Sequence, residues 1–207
     1  SAVSTPIVWK AIDWTIVKED DLPPSAVVAD GFGIAQNILG TALCYRSGKY
    51  RDGGPSSWAD FWDVKKFPGS RSLCLSDSPR TLIFALLADG VPRDQLYPLD
   101  IDRAFKKLDQ IKPHVKVWWR EGTQSQQLIR DGEVDMMSIW NGRAAELAQQ
   151  GVPVELVWNG AVRSTSTWCV VKGAPNAKLA WEFIRFASQA KPQAEFNKRL
   201  FYGPIDP

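Results

Sequence analysis

The stretch SIWNGRAAELAQQG, residues 138–151, carries a change of period. Residues 134–140 are an apolar run that reads as a strand. Asn141-Gly142 follows, and then apolar residues recur at helical spacing, so a strand hands over directly to an amphipathic helix. The first turn of a helix leaves backbone N–H groups without intrahelical partners, and its dipole favours negative charge there. Trp140 stands at that junction and adds a flat apolar face, which makes it the first candidate for ligand contact.

The same alternation extends outward. VPVELVW (152–158) and STWCVVKG (166–173) read as two further strands. Upstream, VKVWW (115–119) is a strand and GTQSQQLIRDG (122–132) a helix. Earlier still, RSLCLS (71–76) is a short strand and TLIFALLADG (81–90) a helix stopped at Gly90. DIDRAFKKLDQIKP (100–113) is helical, with Ile101, Phe105, Leu108 and Ile111 on its apolar face, and Ser57 is placed to cap a short helix, WADFWDV (58–64). ILGTALCYRS (38–47) is a strand, and residues 1–37 read as irregular. NAKLAWEFIRFASQ (176–189) closes the pattern with an amphipathic helix. Alternating strands and helices predict an α/β sheet with helical cover, whose ligands bind beyond the carboxyl ends of the strands.

Three segments share the strand–polar–helix form: LCLSDSPRT, VKVWWREGTQSQQ and MMSIWNGRAAE. The sequence predicts that their junctions, at Ser76, Asp77 and Ser78, at Thr123 and Gln124, and at Trp140 and Asn141, meet on one edge of one sheet. Asn141 reads first as a helix cap and second as a donor to ligand. Trp118 and Trp119 point to opposite faces of their strand, one to the core and one to the site.

Composition narrows the function. The chain has 207 residues, 44% hydrophobic and 23% charged, with formal net charge +2. No basic block supports nucleic-acid binding, and no apolar run approaches the ~20 residues of a membrane helix, so no membrane insertion is expected. SAVSTPIVW at the N-terminus lacks the charged and apolar regions of a signal peptide: either none existed or it lies outside these residues. Cys44, Cys74 and Cys169 sit in strand-like runs and read as small buried hydrophobes; one disulfide with one thiol left over is the alternative. The single His114 lies in a loop, and no catalytic set, metal-ligand pattern or phosphate loop is found, so no cofactor is expected.

With these elements laid out, the chain resembles the periplasmic solute-binding proteins of ABC transporters, in the spermidine/putrescine-binding group. SSWADFWDVKKFPGSRSL (56–73), GEVDMMSIWNGRAAELAQQGVPVELVW (132–158), LAWEFIRFASQ (179–189) and FYGPIDP (201–207) carry the resemblance by their order and spacing. It implies the type II binding-protein fold, an α/β clamshell with two hinge strands, here GTALCYRS and STWCVVKG. It also implies one complete lobe, 45–165, with partial first-lobe segments at 1–44 and 166–207, and hence a truncated chain. The implied function is an extracytoplasmic, periplasmic receptor that traps a small polar solute in an interlobe cleft and delivers it to ABC permease subunits. The alternatives are a cytoplasmic ligand-sensing regulatory domain of the same fold and a cysteine-dependent enzyme on this scaffold.

The resemblance places further residues at the ligand: Gln36 and Asn37 as a loop before the first hinge strand, Ser166 on the return strand, and Tyr202 late in the chain. It also marks a departure. Polyamine-binding members hold ammonium groups with carboxylates, whereas the matching positions here are Ser78, Thr81 and Ser166, and Ser164 stands for a cleft Trp. The expectation is a hydroxyl-rich pocket near Arg80 and Arg143, suited to a carboxylate or neutral head and poor for polyamines.

Overall fold

A computed structural model describes residues 9–23, 25–50 and 53–205. Residues 1–8 of the N-terminal stretch read for a leader, and the last two residues of FYGPIDP, lie outside them. In chain order the strands are β1 (Trp9–Lys10), β2 (Val27–Val28), β3 (Gly33–Arg46), β4 (Arg71–Cys74), β5 (Val115–Trp119), β6 (Met136–Trp140) and β7 (Val154–Val171). The helices are α1 (Trp58–Trp62), α2 (Ser78–Ala88), α3 (Ile101–Ile111), α4 (Gly122–Arg130), α5 (Asn141–Gln149), α6 (Ala177–Ala187) and α7 (Ala190–Leu200). The chain divides into two compact units, residues 40–162 and residues 1–39 with 163–207. β3 and β7 each contribute residues to both.

In unit 40–162, β6 pairs with β3 antiparallel and with β4 parallel, and β4 pairs with β5 parallel. Side-chain alternation along these strands splits the core in two. Leu43, Tyr45, Leu73 and Met136 pack with Trp58, Phe61, Phe84 and Ile111 of α1–α3. Their neighbours Cys44, Cys74 and Met137 pack on the other face with Leu128, Ile129, Ala144 and Leu147 of α4 and α5. A sheet buried on both faces explains why these strands read as continuous apolar runs. Each fully buried large side chain contributes about 1.5–3 kcal/mol. Arg71 is buried too, and donates to the carbonyls of Phe61, Asp63, Phe67 and Gly69, so it ties down the loop between α1 and β4.

The unit of residues 1–39 and 163–207 has its own core, in which Ile12, Val17, Ile34, Val170, Trp181 and Ile184 meet. β1 pairs with the end of β7, β2 with the start of β3, and Ile38 bridges to Gly203.

Four expectations need correction. β3 starts at Gly33, so Gln36 and Asn37 lie inside a strand and not in a loop before it; pairing with β2 and burial of Ile34 and Ala35 outweigh the polar pair that looked like a break. VPVELVW and STWCVVKG are one strand, β7. Asn159-Gly160 looks like a turn, but Gly160 takes φ +76° within the strand, and its carbonyl accepts a hydrogen bond from Trp58 Nε1 at 2.9 Å. α2 begins at Ser78, ahead of the apolar run. On α3 the buried residues are Ala104, Leu108 and Ile111, while Ile101 and Phe105 are exposed.

Candidate functional site

The three strand–helix junctions do meet. β6, β4 and β5 are parallel neighbours in that order, so their carboxyl ends share one sheet edge of unit 40–162. α2, α4 and α5 start there. Ser138, buried in β6, stitches the edge: its Oγ accepts from Cys74 N and its carbonyl from Trp119 Nε1.

At the α5 corner Trp140 is half-buried and meets Trp119 edge-on, with ring centroids 5.3 Å apart. Trp119 is wholly buried, whereas Trp118, on the opposite face, is half-exposed. Gly122, the first residue of α4, permits this packing: a Cβ there would stand 2.8 Å from Arg143 Nε and 2.9 Å from Trp140 Cζ3. Trp140 is itself the N-cap of α5, so Asn141 is not the cap that the sequence suggested. Its Oδ1 accepts from Gly40 N at 2.9 Å and ties α5 to β3 instead.

The α2 corner also departs from expectation. Ser78 Oγ donates to Leu75 O and buried Thr81 Oγ1 to Cys74 O at 2.7 Å; Ser76 Oγ donates to Arg120 O at 2.8 Å. These hydroxyls have spent their protons on carbonyls and present acceptor lone pairs, not donors. Asp77 pairs with Arg80, whose guanidinium is shifted down by burial. At the α4 corner, exposed Thr123 and Gln124 sit in the first turn, and Gln124 Oε1 accepts from Arg120 N. A cavity of about 500 Å³ opens beside the α2 corner, walled by Leu75, Leu82, Phe105, Leu108 and Trp118.

Two features mark this edge. α2, α4 and α5 all begin without a side-chain cap, whereas α1 is capped by Ser57 and α3 by Asp100. Among the described residues of this unit, the buried side-chain atoms without a hydrogen-bond partner are Thr41 Oγ1, Trp140 Nε1 and Arg143 Nε. Thr41 lies directly opposite Trp140 in the β3–β6 ladder. Sequence reasoning missed Thr41 because strand register is a long-range property with no local signal.

Gln36, Asn37, Ser166 and Tyr202 belong to the other unit. Asn37 is buried, with Oδ1 unpartnered; Ser166 is half-buried in β7; Tyr202 follows α7 and its N–H donates to Asn197 O.

The thiols are free. Burial pushes Cys44 up to about 12 and raises Cys74 and Cys169, the opposite of what a nucleophile needs. Cys169 is half-buried, less enclosed than its strand context suggested. Among the described residues no group of three or more His, Cys, Asp or Glu side chains could hold a metal, and no helix is long and apolar enough to cross a membrane. His114 is exposed.

An α/β unit whose parallel strands end in uncapped helices and a tryptophan platform has the form of a binding domain. Residues 12–207 match the model of the bacterial extracellular solute-binding proteins, and the chain belongs to that family. It is 43% identical over 178 residues to the gamma-aminobutyric acid-binding protein of Pseudomonas aeruginosa, covering 84% of this chain and 50% of that one. It is 29% identical over 150 residues to the spermidine/putrescine-binding periplasmic protein of Salmonella typhimurium, covering 71% and 42%. The solved structure of the binding protein MotA of A. tumefaciens B6 in complex with glucopine superposes with TM-score 0.88 at 35% identity, covering 97% of this chain and 62% of that one. The fold is that of the type II periplasmic binding proteins. The chain spans about half the length of the curated relatives it matches.

Proposed function

We propose that this chain is part of an extracytoplasmic receptor that binds a small amino-acid-like solute and presents it to the permease of an ABC importer. The observation that carries the reading is the edge where β6, β4 and β5 end: three uncapped helix N-termini lie side by side there, next to the Trp140 platform. Free first-turn amides favour an anionic group, and an indole face favours an alkyl chain. An ω-amino carboxylate has both. The gamma-aminobutyric acid-binding relative supports that class.

In this reading Trp140, Asn141, Ser76, Asp77, Ser78, Trp118, Thr123 and Gln124 serve the solute from unit 40–162, with Trp119 as support beneath Trp140. Gln36, Asn37, Ser166 and Tyr202 are the other unit's contributions. The two units are the receptor's lobes, β3 and β7 are its hinge strands, and its place is the periplasm. The mechanism is hinge closure, not chemistry.

Calorimetry on the full chain with γ-aminobutyrate, putrescine and spermidine tests the reading. The expected result is γ-aminobutyrate bound at least tenfold more tightly than either polyamine, about 1.4 kcal/mol. Submicromolar polyamine affinity would overturn the solute assignment.

A further inference from the structure

The structure assigns Arg143 as the side chain that recognises the solute's carboxylate and so sets the preference for an anionic end group. The inference rests on the proposed solute class. Arg80, Arg120 and Arg143 all stand where β4, β5 and β6 give way to their helices, and the three are held in different ways. Arg80, in the first turn of α2, is ion-paired with Asp77, and both side chains are largely enclosed, so its charge is answered within the protein. Arg120 directly follows β5 and is exposed, so water solvates and screens its charge.

Arg143 is neither tightly paired nor left to solvent: its side chain is 32% exposed. Nη1 stands 3.5 Å from Glu146 Oε2 and 3.5 Å from Gln126 Oε1, the outer limit of a hydrogen bond. Glu146 Oε2 already accepts from Gln126 Nε2 at 2.7 Å, a far better contact. Nε is enclosed without a partner; Nη2 has no partner either and is not enclosed. Packing holds the side chain in place. A Cβ on Gly122, the first residue of α4, would stand 2.8 Å from Arg143 Nε and 2.9 Å from Trp140 Cζ3, so the guanidinium and the indole ring are neighbours against one backbone position. Arg143 is the third residue of α5, and helical side chains lean toward the N-terminus, so the guanidinium is carried toward the sheet edge. A planar fork of donors with so little to bind is matched by the two oxygens of a carboxylate. The pairing is stronger in this partly enclosed position than at exposed Arg120. The contact to half-exposed Glu146 is weak, and a solute carboxylate displaces it at little cost. An alkyl chain lying on the Trp140 ring therefore ends its carboxylate beside Arg143.

Calorimetry on the full chain with γ-aminobutyrate, its uncharged-end analogue 4-aminobutanamide, and butyrate tests this. Wild type should prefer γ-aminobutyrate to the amide. Arg143→Gln should weaken γ-aminobutyrate about tenfold and leave the amide unchanged, so the preference collapses. Arg143→Lys keeps the charge but not the fork, and should fold as wild type while losing part of the preference. Arg120→Gln should keep the whole preference. If Arg143→Gln lowers the melting temperature and keeps the preference, the guanidinium is a brace between α4 and α5, and the inference is overturned while the solute class stands. The same holds if Arg120→Gln removes the preference in place of Arg143→Gln, or if wild type binds acid and amide alike. If wild type ignores γ-aminobutyrate but binds butyrate, and Arg143→Gln abolishes that, the carboxylate contact stands and the assigned solute falls. Wild type that binds none of the three compounds overturns both.

Discussion

α1 and α3 differ from α2, α4 and α5 in how they begin, although all five belong to one unit. Ser57 accepts a hydrogen bond from Asp60 N and Asp100 accepts one from Arg103 N, so the first pair satisfy part of their own N-termini. The other three start at the carboxyl ends of β4, β5 and β6 with no side-chain cap. The unit's unpaired buried donors also lie at that end, around Trp140. α6 and α7 are uncapped as well, so a missing cap alone says little. What carries meaning is three such helices side by side on one sheet edge, in a unit that caps its other helices. The unit caps α1 and α3 and leaves uncapped the three helices of the edge to which the proposed solute is assigned.

Trp58 and Trp140 sharpen the contrast. Trp58 is buried, stacks on Phe84 at 3.8 Å between ring centroids, and donates to Gly160 O. Trp58→Ala should cost about 3–5 kcal/mol of stability, read as a large fall in melting temperature. Trp140→Ala should instead weaken solute binding by roughly 1–3 kcal/mol, with a smaller effect on melting because the side chain is only half-buried. A titration and a melting curve on each variant decide it. If Trp140→Ala collapses stability and leaves affinity intact, Trp140 is a packing residue, and the two helix groups no longer differ in purpose.

The shared edge of β4, β5 and β6 was legible because each strand is an apolar run followed by a polar turn and a helix, the pattern of a parallel α/β sheet; their order within the sheet comes from the pairing itself. The position of Trp140 at that edge was legible for the same reason. What the sequence hid was hydrogen-bond direction. Ser78 and Thr81 look like donors in a list of residue types, but the Ser78 hydroxyl turns back onto Leu75 O three residues earlier, and packing of α2 on the end of β4 brings that of Thr81 onto Cys74 O. Asn141 looks like a cap, but the helix starts one residue earlier, with Trp140 as its N-cap, and Gly40 N claims the Asn141 side chain. VPVELVW and STWCVVKG looked like two strands because the residues between them are less apolar; the left-handed Gly160 lies within the single strand β7, and its carbonyl is held by Trp58 through a contact 102 residues away.

The capped group makes a smaller, pH-dependent prediction. Burial raises the Asp60 carboxyl, but the hydrogen bonds from Ser56 and Ser57, with Lys66 nearby, outweigh it and hold the group below its usual value. A lowered folded pKa contributes stability that is present above the ordinary aspartate value, near 3.9, and is lost as pH falls through the folded value. Ser57→Ala should cost about 1 kcal/mol near neutrality. Asp60→Asn should remove this residue's share of the acid loss, so the stability difference from wild type should shrink below about pH 4. An unchanged difference across that range would show that the α1 start is not held by Asp60.

The finest test gives an uncapped helix the cap it lacks. Glu121 is the N-cap of α4, exposed and already extended at φ −119° and ψ 143°. Gln124 stands three residues on, and its side chain already reaches back to a backbone N–H, that of Arg120. Glu121→Ser therefore completes a Ser-x-x-Gln capping box without moving the backbone. The new hydroxyl should accept a first-turn N–H and add roughly 0.5 kcal/mol to stability, the cap's gain less the few tenths that ionised Glu121 contributes through the helix dipole. If the free amides of α4 take part in holding an anionic solute, the same change should weaken binding two- to threefold, about 0.5 kcal/mol. Opposite signs for stability and affinity in one variant are hard to obtain any other way. A gain in melting temperature with unchanged affinity would remove α4 from the solute's contacts and leave α2 and α5 to carry the edge; no gain at all would mean that the N-terminus of α4 is already satisfied.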